Sequence, residues 1–159
     1  MDCAKAETLA RELMRLHGLD SVGSTCEPRQ PWHFGWMRRT NTCGIAHFGK
    51  RAIMLSAPIV KANEESEVRD TILHEIAHVL AGPSGHGQVW KLKAMEIGAR
   101  PYACTDTANV PKGKYFAVCA ACGHEHQGYR KRIGTRLCGA VSCRLLPASE
   151  RRLTFIQRY

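Results

Sequence analysis

Thr71-Ile72-Leu73-His74-Glu75-Ile76-Ala77-His78-Val79-Leu80-Ala81, closed by Gly82-Pro83, is the stretch on which this sequence turns. It is apolar almost all round apart from His74, Glu75 and His78, the pattern of a helix packed inside a core. A start between Asn63 and Ser66 is expected, because Asn and Ser cap well and Glu64, Glu65 and Glu67 suit the positive end of the helix dipole. Gly-Pro is a common stop. On such a helix His74 and His78 share one face, with Cβ atoms roughly 5–6 Å apart, so both imidazoles reach one zinc ion at about 2.0–2.1 Å. Glu75 is rotated off that line and addresses a water instead. Zinc lowers the pKa of a coordinated water toward about 7, and Glu75 is the expected general base and catalytic residue. Two histidines and a glutamate in this apolar frame would be costly without a shared partner, so the spacing predicts a metal site.

A catalytic zinc takes a third protein ligand and keeps one position open. Downstream, His86 follows the turn Gly82-Pro83-Ser84-Gly85 and is the expected ligand. Its rival is Glu96, on a further helix over about Gly87 to Gly98 whose Trp90, Ala94 and Ile97 share a face. Glu96 stands about ten residues beyond His86, roughly 15 Å along a straight helix, so the two do not reach the same metal. The spacing also departs from HExxHxxGxxH, which would put the third histidine where Ser84 stands.

Upstream, Ala6, Leu9, Ala10, Leu13 and Leu16 recur at helical steps within Ala4 to His17, and Gly18 is the expected cap. Trp32 to Trp36, Cys43 to Phe48 and Arg51 to Leu55 read as strands, with Gly49-Lys50 as a tight hairpin turn. They predict a small antiparallel sheet of about three strands. The fold class expected is therefore α+β: an N-terminal helix, a small antiparallel sheet and a helix pair in residues 1–98, a linker over 99–113, and a small module over 114–159.

Four of the eight cysteines fall in that last module. Cys119-Ala-Ala-Cys122 followed by Cys138 and Cys143 reads as a four-cysteine structural zinc ribbon, in which the metal replaces the core that about 40 residues cannot build. The second pair is CxxxxC instead of CxxC, which leaves His124 or His126 as substitutes for one cysteine and Cys104 as a remoter one. The module is also basic. Of the net charge of +9, residues 1–98 account for +1 and residues 99–159 for +8. Lys112, Lys114, Arg130, Lys131, Arg132 and Arg136 interleave with Tyr115, Phe116 and Tyr129, a composition suited to phosphates and bases. DNA is the expected partner.

The run His74-Glu75-Ile76-Ala77-His78, then Gly85-His86-Gly87-Gln88-Val89-Trp90, resembles the SprT-like family, whose motif is HExxH followed by GHG-x-x-[WF]. The N-terminal helix, Gly44 and Lys50-Arg51-Ala52-Ile53-Met54-Leu55-Ser56 are similar too, and the likeness covers about 4–145. It implies a zincin-like minimal protease core, a zinc metalloendopeptidase with His86 as third ligand, and a zinc ribbon after it: one catalytic and one structural Zn²⁺. The family's Spartan branch cleaves proteins trapped on DNA, which implies protein substrates, DNA binding and a place in DNA repair. The substrate chain is expected to add as a strand beside Arg51 to Leu55. A DNA-binding zinc protein with a vestigial HExxH site is the competing reading, and the intact Glu75 argues against it.

Hydrophobic residues at 44% and charged residues at 23% fit a globular protein. Charges in Met1-Asp-Cys-Ala-Lys-Ala-Glu7 interrupt any apolar leader, and no run reaches the roughly 18–20 apolar residues of a membrane span. The expectation is a soluble, cytoplasmic protein (nuclear if eukaryotic), not secreted. The sequence gives no oligomeric state.

Overall fold

The computed structural model describes residues 1–20, 30–83, 85–103, 108–131 and 134–158. The chain divides into two compact units, Met1–Pro111 and Lys112–Tyr159, and has mixed α and β structure in the order expected.

In the first unit, helix α1 (Cys3–Leu16) is capped by the Asp2 carboxylate, which accepts from the Ala4 and Lys5 amides. It buries Ala6, Ala10, Leu13 and Met14. Leu16, expected on that stripe, is 71% exposed. Gly18, in the left-handed region at φ 69°, turns the chain back so that the Leu19 amide reaches the Met14 carbonyl, and Leu19 is the buried residue at this end.

Strands β1 (His33–Met37), β2 (Gly44–His47) and β3 (Ala52–Ser56) form one sheet in the order β1-β3-β2. β2 and β3 are antiparallel, but β1 and β3 are parallel, so the sheet is mixed and not antiparallel throughout. The reason lies in β3. Ala52, Ile53, Leu55 and Ser56 are all buried, so the strand is covered on both faces and takes the centre. The turn before it also differs from expectation. Phe48–Lys50 is a 3₁₀ turn, the His47 imidazole accepts from the Lys50 amide, and Arg51, not glycine, takes the left-handed conformation at φ 47°. Because β3 is central, the Arg51 to Leu55 segment has no open edge for a substrate strand. Among the described residues β2 is paired on one side only.

Ser56 ends β3 and caps the short helix α2 (Ala57–Ala62) by accepting from the Ile59 amide. Helix α3 (Glu65–Ala81) carries Glu65 and Glu67 in its first turn and ends at Gly82, φ 79°. It packs against α1, β2, β3 and α4 (Gln88–Glu96), burying Val68, Ile72, Leu73, Ile76 and Ala77 against Ile53, Leu55, Trp90 and Ala94. The stretch read as a linker is tied to this unit at two points. The Arg100 amide and Nε donate to Asp70 at 2.9 Å each, and its guanidinium pairs with Glu67 at 2.8 Å. Asn109 and Asn63 exchange hydrogen bonds of 2.7 and 2.8 Å.

The second unit is built of short strands. β4 (Tyr115–Val118) lies between β5 (Glu125–Gly128) and β8 (Ile156–Gln157), and β6 (Arg136–Leu137) pairs with β7 (Arg152–Leu153). Its buried cluster is Ala117, Cys119, Cys138, Cys143 and Leu153. No described helix is long and apolar enough to cross a membrane.

Two candidate metal centres

Helix α3 carries His74 and His78 one turn apart. Beyond its end, Gly82 and Gly85 both take positive φ, 79° and 65°, and return the chain so that His86 meets the same point. Ser84 of this turn lies outside the described residues. The three Nε2 atoms converge: 3.3 Å from His74 to His78, 3.0 Å from His78 to His86 and 3.0 Å from His74 to His86. Two nitrogens bound tetrahedrally to zinc at about 2.0–2.1 Å stand about 3.3 Å apart, so the set fits one face of such a coordination shell. Hydrogen bonding alone does not account for it. Each nitrogen presents either a proton or a lone pair, and with three nitrogens at least one pair must face like to like.

Fully buried Trp90 underlies the group, its ring centroid 4.7, 5.3 and 4.6 Å from those of His74, His78 and His86. Burial, followed by the neighbouring histidines, pushes the His74 pKa down to about 4, and burial with His86 does the same for His78. Both are held in the neutral form that ligates a metal. Glu96 lies outside the group. Its side chain is 62% exposed and pairs with Lys93 at 2.7 Å.

Glu75 lines the same cleft as the three histidines and lies against β2. It is only 6% exposed, and burial raises its pKa to about 7 against the opposing pull of a hydrogen bond from the Ala46 amide. A cleft of about 980 Å³ opens over His74, Glu75, His78 and His86, walled on one side by Gly44, Ile45 and Ala46 of β2. Asp70, Tyr102 and Val110 line it too, residues the sequence reading did not single out.

The second centre is the cysteine group. Cys119 Sγ lies 3.7 Å from Cys143 Sγ, and Cys122 Sγ 3.7 Å from Cys138 Sγ; all four ligand atoms are within 4.8 Å of one another. These separations are far beyond an S–S bond of about 2.05 Å and match the edge of a tetrahedron with Zn–S of about 2.3 Å, about 3.8 Å. Gly123, φ 71°, closes the first knuckle, its amide donating to the Cys119 carbonyl. The wider Cys138–Cys143 spacing is taken up by a 3₁₀ turn, Val141–Cys143. The His124 backbone amide is the chief cause of a Cys122 pKa near 6, while hydrogen bonds that the Cys143 thiol donates to its neighbours, Cys122 first, together with burial push Cys143 up to about 12. Of the substitutes considered, His126 Nε2 sits 3.1 Å from Cys138 Sγ, beside the group and not within it. Cys104 lies outside the described residues.

Compared with known proteins, residues 11–110 match the SprT-like family. The chain belongs to that family. It is 28% identical over 92 residues to Protein SprT of Glaesserella parasuis serovar 5 (strain SH0165), a match over 53% of this chain and 58% of that one. The chain thus spans a little over half the length of this relative. It also resembles the metallopeptidase zymogen of Methanocaldococcus jannaschii jannalysin, at 13% identity and a TM-score of 0.46, over 57% of this chain and 79% of that one.

The SprT-like match ends before the cysteine unit, so the basic residues there stand on their own geometry. Lys112, Lys114, Arg130, Lys131 and Arg136 are all exposed; Arg132 lies outside the described residues. Phe116 is half-buried beneath the Arg158 guanidinium, 4.4 Å from the ring centroid, and is therefore occupied. Tyr129 is exposed. The structure adds Arg144 and Arg152 to the exposed basic set, two residues that the charge count included but no motif marked.

Proposed function

We propose that this chain is a zinc-dependent endopeptidase of the SprT-like type, with a catalytic zinc on His74, His78 and His86 and a structural zinc on Cys119, Cys122, Cys138 and Cys143. The observation that carries the reading is the convergence of three imidazole nitrogens at 3.0 to 3.3 Å beside a buried carboxyl group, at the floor of an open cleft. A zinc ion held there acidifies water toward neutral pH and polarises a carbonyl. The chain's own residues do the rest. Glu75, whose pKa of about 7 suits proton exchange near neutrality, takes a proton on its carboxylate and later gives it to the leaving amine. Trp90 locks the three imidazoles in place from below.

The substrate backbone lies along the outer edge of β2. The Ser56 amide bonds the Cys43 carbonyl, so by the antiparallel alternation Gly44 and Ala46 point their backbone groups away from β3; the Ala46 amide is taken by Glu75, which leaves the Gly44 amide and the Gly44 and Ala46 carbonyls for the substrate. Main-chain pairing there accepts many sequences, as a protease of varied proteins requires. The basic second unit brings the enzyme to DNA, and the substrates are DNA-associated or crosslinked proteins. The test is cleavage of an unfolded protein, free and crosslinked to DNA, by the zinc-loaded chain and by Glu75→Gln. Cleavage by the wild type alone is expected. A wild type that binds DNA and two zinc ions but cleaves nothing would favour the DNA-binding zinc protein.

A further inference from the structure

Gly44 stands at the start of β2, directly across from Glu75. Its backbone is ordinary strand, outside the left-handed region, so conformation does not require a glycine there. Space does. A Cβ at Gly44 would lie 2.7 Å from Glu75 Cγ, 2.7 Å from Oε1 and 3.0 Å from the carboxyl carbon. Real Cβ contacts do not come this close, and all three obstructing atoms belong to Glu75. Two residues on, the Ala46 amide holds the same carboxyl group. The strand therefore offers a seat with two parts, a missing side chain at Gly44 and a donor at Ala46. Glu75 is buried, so a methyl group at Gly44 forces it into another rotamer and off the Ala46 amide.

We infer that Gly44 is a positioning residue. Its absent side chain leaves the volume that fixes the Glu75 carboxyl group beside the three histidines. The inference rests on the endopeptidase reading for its catalytic meaning, but the seat itself is a matter of packing and is tested separately. A displacement of about 1 Å in a reacting group costs up to about 100-fold in rate. Gly44→Ala in the full, zinc-loaded chain is expected to lower kcat roughly 10- to 100-fold, with KM within about twofold and the zinc content unchanged. A Gly44→Ala enzyme with wild-type kcat would overturn the proposal.

The second measurement needs no activity. Glu75→Ala removes the three atoms nearest to the new methyl group. Gly44→Ala is expected to lower the midpoint of thermal unfolding by about 3 °C or more in the wild-type background and by less than about 1 °C on Glu75→Ala. If Gly44→Ala prevents folding on its own, folding should return in the double variant. An equal loss in both backgrounds would show that the methyl meets something other than Glu75, and the seat would be wrong. An inactive wild type with the expected coupling would instead remove the endopeptidase reading and leave the seat standing.

Discussion

The two candidate metal centres differ in what surrounds them. Three half-buried histidines stand beside a core of 18 buried residues, counted among the described residues of the first unit, none of them one of the three histidines. In the second unit the buried cluster has five residues, of which three are cysteines of the centre itself. One site is mounted on a fold that is already complete. The other is most of the fold. A metal can therefore be removed from the first to change chemistry, and from the second only by undoing structure.

The sharpest way to break this contrast is to remove one ligand from each. Structural zinc in small modules supplies about 10–16 kcal/mol of folding free energy. Cys119→Ser should lower the zinc content from two per chain to one and make 112–159 fully susceptible to protease, while the first unit stays resistant. His74→Ala should also lose one zinc and all peptidase activity, yet leave protease resistance intact in both units. Equal collapse in the two variants would erase the distinction. Next in size, Glu75→Gln should keep both metals and lose roughly 10²–10⁴ in kcat, read by single-turnover cleavage with zinc measured on the same sample.

A smaller effect follows from the burial of Glu75. Its pKa rises from 4.5 unfolded to about 7 folded. The unfolded chain thus releases this proton first, and stability falls as pH climbs from about 4.5 to about 7. The rise corresponds to at most about 3 kcal/mol. After chelation, Glu75→Gln should be more stable than the wild type above pH 7, with the gap closing near pH 4.5. Urea unfolding followed by tryptophan fluorescence reads the first unit alone, because Trp32, Trp36 and Trp90 all belong to it. No gap at high pH would mean that the carboxylate is solvated after all.

On duplex DNA, each phosphate contact contributes about 0.9 to the slope of log affinity against log salt. Replacing Lys112, Lys114, Arg130 or Lys131 singly with alanine should flatten that slope by about one each, and substitutions of exposed lysines in the first unit should not. The smallest change is expected at Glu96. Its exposed pair with Lys93 is worth at most about 1 kcal/mol, so Glu96→Gln should alter neither zinc content nor cleavage.

The helices were legible because their information is local. The apolar steps in α1, the acidic first turn and Gly-Pro stop of α3, and the tryptophan of α4 all lie within the segments they describe. Helix α2 was missed although Ser56 and Pro58 stand where a cap and first turn belong. The sheet was legible as strands but not as an order, because β3 takes the centre only by being covered on both faces, a property of its neighbours. Likewise His86 could be placed by a turn two residues away, whereas the seat of Glu75 could not. Gly44 and Ala46 are some 30 residues from Glu75 along the chain, and a glycine that is needed for space leaves no mark that separates it from one needed for a turn.

The segment between Arg100 and Asn109 is fastened at one end to Asp70 and Glu67 and at the other to Asn63; Tyr102 and Ala103 within it and Val110 just beyond it line the cleft. Chain held between two fixed points is nearly indifferent to its own length: doubling it adds only about 0.6 kcal/mol of closure entropy. Residues inserted between the Arg100 and Asn109 anchors would accordingly add little closure cost and leave the three histidines and Trp90 as they are.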